Sequence, residues 1–64
     1  MSQKVKVEVT DKDAIYVNGT RVTDRSTKWG SHIVIDTFDC ERKDVDAECR
    51  ARGYTAAADK IDFL

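Results

Sequence analysis

Asn18 and Gly19, set between Ala14-Ile15-Tyr16-Val17 and Thr20-Arg21-Val22-Thr23, constrain the fold of this chain more than any other feature. Asn-Gly supplies the two positive-φ positions of a type I′ turn, whose twist suits a pair of antiparallel strands. The spacing predicts a hairpin with strands at 14–17 and 20–23. Upstream, Lys4-Val5-Lys6-Val7-Glu8-Val9-Thr10 alternates charged and β-branched residues without a fault, so it reads as a strand with one wet and one dry face. Asp11-Lys12-Asp13 breaks the alternation with turn formers.

Beyond the hairpin, 24–31 is polar, contains Gly30 and reads as a loop, and His32-Ile33-Val34-Ile35-Asp36-Thr37-Phe38 reads as a fourth strand covered on both faces. Asp39 is placed to cap a helix from about Cys40 to Arg52, with Glu41 and Asp44 near its positive end. Gly53 suits the position that ends it, and Tyr54 can fold back on the core. Thr55 could cap a second short helix over 56–62; a single helix bent at Gly53 is the alternative.

The order β-β-β-β-α(-α) predicts an α+β fold, a small antiparallel sheet of three to four strands packed on a C-terminal helix or two short ones. Phe38, Val45, Cys49, Tyr54, Ile61, Phe63 and Leu64 are expected to meet Val5, Val7, Val9, Ile15, Val17, Val22, Ile33 and Ile35 in the core. A chain of 64 residues allows one domain, 1–64. It buries only about 60% of the surface of its unfolded state and is therefore marginally stable.

No run approaches the roughly 18 apolar residues of a membrane span, and Met1-Ser2-Gln3-Lys4 has no apolar signal core, which sets the expectation of a cytoplasmic protein without membrane contact. With Cys40 and Cys49 on one helix, their separation would be about 13 Å, too far for a disulfide. Free thiols fit the same compartment.

Net charge is −1, with residues 1–35 carrying six basic and four acidic side chains and residues 36–64 five and eight. Neither part has the strongly basic balance of a domain that grips phosphates. The stretch 21–32 nevertheless gathers Arg21, Arg25, Lys28 and His32 around Trp29, the only tryptophan. Basic side chains with an aromatic between them suit a protein hot spot or a stacked base beside a phosphate. The plainer alternative has Trp29 closing the open end of the core and the charges merely solvated. If Ile15, Val17, Ile33 and Ile35 face the helix, then Tyr16, His32 and Val34 line an opposite, open sheet face, the second candidate surface.

Other chemistry is poorly supplied. Asp36, Asp39, Glu41, Asp44, Asp46 and Glu48 form an acidic series, and Glu41-Arg42-Lys43 matches the E-x-K fragment of some metal-dependent nucleases, but a solvated helix face explains them better. His32, Cys40 and Cys49 lack the paired spacing of a zinc site, so no metal and no cofactor is expected. No nucleophile elbow, P-loop or glycine fingerprint occurs, and one histidine offers little for acid–base work, so no catalytic residue is assigned.

The β-β-β-α order resembles small DNA-reading domains that lay a three-stranded sheet in the major groove, an analogy of architecture that transfers no function. Charge counts against it, since only Lys4, Lys6, Arg21 and the loop are basic. The expected role is a non-catalytic regulatory protein that docks on a partner protein through Tyr16, Arg21, Arg25, Lys28, Trp29 and His32. Its setting would be that of phage-type or accessory inhibitors of host machinery. The alternative is a nucleic-acid-binding module using the same loop, and a homodimer through a sheet edge or face would extend either reading.

Overall fold

The computed structural model describes residues 4–23 and 33–62. Strands β1 (Lys4–Thr10), β2 (Ile15–Val17), β3 (Thr20–Arg21) and β4 (Val34–Glu41) form one antiparallel sheet in the order β3-β2-β1-β4. A 3-10 turn, Arg42–Asp44, leads into helix α1 (Val45–Ala51), and α2 (Thr55–Asp59) follows. The α+β architecture and element order are those expected from the sequence.

The alternation in β1 seats the strand at the centre of the sheet. Val5, Val7 and Val9 are buried on one face, where Ile15 and Val17 of β2 and Phe38 and Cys40 of β4 join them. Val45 and Cys49, four apart on α1, and Ala57 and Ala58 of α2 close the core from the helical side. Tyr54 and Ile61 pack at its margin.

The turns follow the backbone chemistry. Asn18 (φ 51°) and Gly19 (φ 84°) hold the positive dihedrals of the hairpin, and the Asn18 Oδ1 accepts a 2.9 Å bond from the Lys6 N–H. At the other end, buried Thr10 accepts at Oγ1 from the N–H groups of Lys12 and Ala14, and buried Thr23 accepts from Ile15. These hydroxyls satisfy the buried backbone donors of Ala14 and Ile15, which water cannot reach. Helix α1 ends in a Schellman arrangement: Gly53 (φ 92°) donates to the Arg50 carbonyl and Tyr54 to that of Cys49, at 3.0 and 2.9 Å.

Three expectations are corrected. First, β4 continues through Asp39 and Cys40 to Glu41, so Asp39 caps no helix. Cys40 stays extended because its side chain fills the core opposite Val5. The two cysteines therefore sit on different elements of one core, and helical spacing does not separate them; both thiols are free. Second, Thr55 is the first residue of α2, and Tyr54 holds the cap position without a side-chain bond.

Third, Ile33 and Ile35 are exposed and lie outside the core. Asp36 pairs with Val9 but Val34 pairs with Thr10, so Ile35 is one residue too many on β4 and forms a bulge. Even-numbered residues Asp36, Phe38 and Cys40 thereby take the core face. The expected core residues Phe63 and Leu64 lie outside the described residues.

Candidate functional site

With the valines of β1 turned inward, Lys4, Lys6 and Glu8 necessarily line the other face of the sheet. Lys4 lies opposite Glu41 and Lys6 opposite Asp39, while Glu8 lies between Thr37 on β4 and Tyr16 on β2. Tyr16 in turn lies opposite Arg21. Two expected site residues thus stand side by side on this helix-free face, both half-buried, with Arg21 Nε donating to the Thr23 carbonyl at 2.8 Å. Arg25, Lys28, Trp29 and His32, the remaining expected site residues, lie outside the described residues. The face is a mixed-charge surface, with Lys4, Lys6 and Glu8 on β1 and the acids Asp39 and Glu41 on β4.

The apolar surface lies elsewhere, at the entry to β4. Ile33, Val34 and Ile35 are 69%, 44% and 55% exposed, and they are consecutive. Asp11 fixes their position: its N–H donates to the Ile33 carbonyl at 2.9 Å and its carboxylate accepts from the Ile33 N–H at 3.1 Å. The bulge follows at once and turns the side chains outward. Three consecutive exposed β-branched residues are unusual for so small a domain and concentrate apolar surface at the entry to β4, which makes this strand end the candidate interaction site.

The two sheet edges differ. On the β3 side, Thr23 bridges Ile61 and the Asp62 N–H donates to the Val22 carbonyl at 2.9 Å, so the C-terminal segment pairs with the two residues that follow the short β3. On the β4 side, no strand among the described residues pairs with the outer edge. That edge runs for eight residues and begins at the apolar patch.

The helical side is held by ion pairs and hydrogen bonds that account for its charged side chains. Tyr54 donates its hydroxyl to Asp36 at 2.8 Å, and this bond to a carboxylate, followed by burial, raises the phenol's pKa. Arg52 lies over the Phe38 ring at 4.0 Å and reaches Glu48 at 3.7 Å and Asp36 at 3.9 Å. Arg50 joins α1 to α2 through Asp46 and Asp59.

Burial, followed by the neighbouring Cys40, pushes the Cys49 thiol up to about 11. Burial and then Glu48 raise that of Cys40. Both thiols stay protonated near neutral pH and are poor nucleophiles. Lys43, which completes the E-x-K match, stands 3.6 Å from Glu41 as a surface ion pair. Among the described residues no group of three or more histidine, cysteine or acidic side chains is placed to hold a metal. No described helix is long and apolar enough to cross a membrane.

Val34 is exposed, as expected for the open sheet face, but the exposure of Ile33 and Ile35 was missed in the sequence, although a signal was there. Apolar residues fall on odd positions at Ile33 and Ile35 and on even ones at Phe38 and Cys40. Such a change of phase within one extended run marks an inserted residue. No family model, curated protein or solved structure matches the chain.

Proposed function

We propose that this chain is a non-catalytic binding protein that docks on another protein through the β4 side of its sheet. The observation that carries this reading is the exposure of Ile33, Val34 and Ile35 at the start of a strand edge with which no strand among the described residues pairs. An apolar anchor beside a polar rim is the usual anatomy of a protein interface, and the charged residues of β4 supply the rim. Arg25, Lys28, Trp29 and His32, the other partner-binding residues expected from the sequence, precede Ile33 directly in the chain.

The alternative, nucleic acid, draws on Lys4, Lys6, Tyr16 and Arg21 of the helix-free face. Glu8, Asp39 and Glu41 interrupt that set and would repel a phosphate backbone. Protein docking is therefore the better supported of the two.

Photo-cross-linking tests it. A cross-linker in place of Ile33 is expected to capture one stoichiometric protein from nuclease-treated lysate, and one in place of exposed Ala47 on α1 is expected to capture none. Capture should be lost with Ile35→Ser. Recovery that depends on intact nucleic acid, or equal capture from both positions, would overturn the reading.

A further inference from the structure

We infer that the outer edge of β4 accepts an extended, lysine- or arginine-bearing segment of the partner as a fifth, antiparallel strand. This rests on the docking reading and names the form and charge of the partner.

The hydrogen-bond directions come from β1. Lys6 uses its N–H and carbonyl on Asn18, on the β2 side. In an antiparallel ladder alternate residues send both groups to the same neighbour, so Val5 and Val7 face β4 and bond Cys40 and Phe38. Thr37 and Asp39, between and beside them, accordingly aim their N–H and carbonyl groups away from β1. Such a row of outward donors and acceptors is what β-augmentation uses.

Charge selects the occupant. The sequence 33–41 has no basic residue, and of its three acids Asp36 is engaged by Tyr54 and Arg52 on the helical side, which leaves Asp39 and Glu41 on the helix-free face. On its inner edge β4 meets a strand that places Lys6 opposite Asp39 and Lys4 opposite Glu41. The outer edge presents the same side chains, so a segment with the β1 pattern, lysines alternating with β-branched residues, meets them with the same complementarity. A second copy of the chain is a worse occupant. Its β4 would bring two more carboxylates, Asp39 and Glu41, to the contact, and its β3 offers only two residues before the chain passes into 22–23, which pair with 61–62.

The probe is a capped peptide of sequence Lys-Val-Lys-Val-Glu-Val-Thr, titrated to millimolar concentration into the isotopically labelled full chain. A second peptide with the lysines replaced by glutamates is the control. The expected result is amide shifts centred on Thr37 and Asp39, with the glutamate peptide binding roughly tenfold more weakly. Thr37→Pro removes an outward N–H without touching the β1 ladder and is expected to abolish the shifts. Should that variant not fold, Asp39→Lys decides instead, by reversing the preference between the peptides.

Absence of shifts, shifts centred on α1 or β3, indifference to peptide charge, or concentration-dependent shifts of β4 in the chain alone would each overturn strand addition. The last result would identify a second copy as the occupant. Capture of a partner from Ile33 alongside peptides that ignore β4 would remove this inference and leave docking intact; the reverse pairing would remove docking at the apolar patch alone.

Discussion

The two isoleucines Ile15 and Ile35 show how little residue type alone decides. Ile15 is fully buried between β1 and the helices, whereas Ile35 is the extra residue of the bulge and points to solvent. Ile15→Ala should cost about 2–5 kcal/mol, and Ile35→Ser less than about 0.5 kcal/mol. Against a total of roughly 3–10 kcal/mol for a domain of this size, the first change removes a large share of the stability and the second is nearly silent. Urea denaturation of both variants checks this, and a large loss in Ile35→Ser would place that side chain in the core after all. Cys49 carries a second prediction. Its thiol moves from an ordinary 9.0 to about 11 in the fold, so below pH 9 both states are protonated and the group has no effect. Between those values the unfolded chain releases a proton that the native one retains, and stability falls by up to roughly 3 kcal/mol as pH rises. Cys49→Ala should flatten that part of a stability–pH profile relative to the parent, even though the variant starts from a lower stability.

At the level of elements, the most legible parts of the sequence were those where local chemistry and tertiary packing agree. The Asn18-Gly19 hairpin and the Gly53 stop each need a backbone conformation that few other residues adopt, and both formed where expected. The β1 alternation likewise leaves one choice of face. The β4–α1 junction was less legible because Asp39 is a good cap in isolation, and only the place of Cys40 opposite Val5 keeps the strand extended. The phase of β4 depended on a single inserted residue, which turned Ile33 and Ile35 outward and made the candidate site an apolar strand end; the aromatic half of the surface read from the sequence lies in 24–32. Gly53 gives the test at this scale. No heavy atom lies within 4 Å of a Cβ built there, so Gly53→Ala meets no clash and pays only for its φ of +92°. The expected loss is about 1 kcal/mol, with Gly53→Asn closer to the parent and Gly53→Val worse. Equal melting temperatures for the three would show that the α1–α2 turn relaxes to another conformation.

For the molecule as a whole, the sheet has two edges and treats them differently, which bears on how it can associate. A sheet open at both edges can extend head to tail without limit, while one open at a single edge can add only one strand there or pair with its own kind. Residues 61–62 make the difference by bridging Thr23 and Val22 beside the two-residue β3. Truncation after Lys60 removes that cover together with half-buried Ile61, so the shortened chain should lose stability and acquire a second adhesive edge. Light scattering across a concentration series is expected to show growing assemblies for the truncated chain and a constant size for the parent. Restoring Ile61 and Asp62 alone should reverse this, because the covering bonds are made by those residues. If the truncated chain stays the same size while merely melting earlier, the C-terminal segment serves only to fill the core, and the limit on association must come from the charges and bulge of β4.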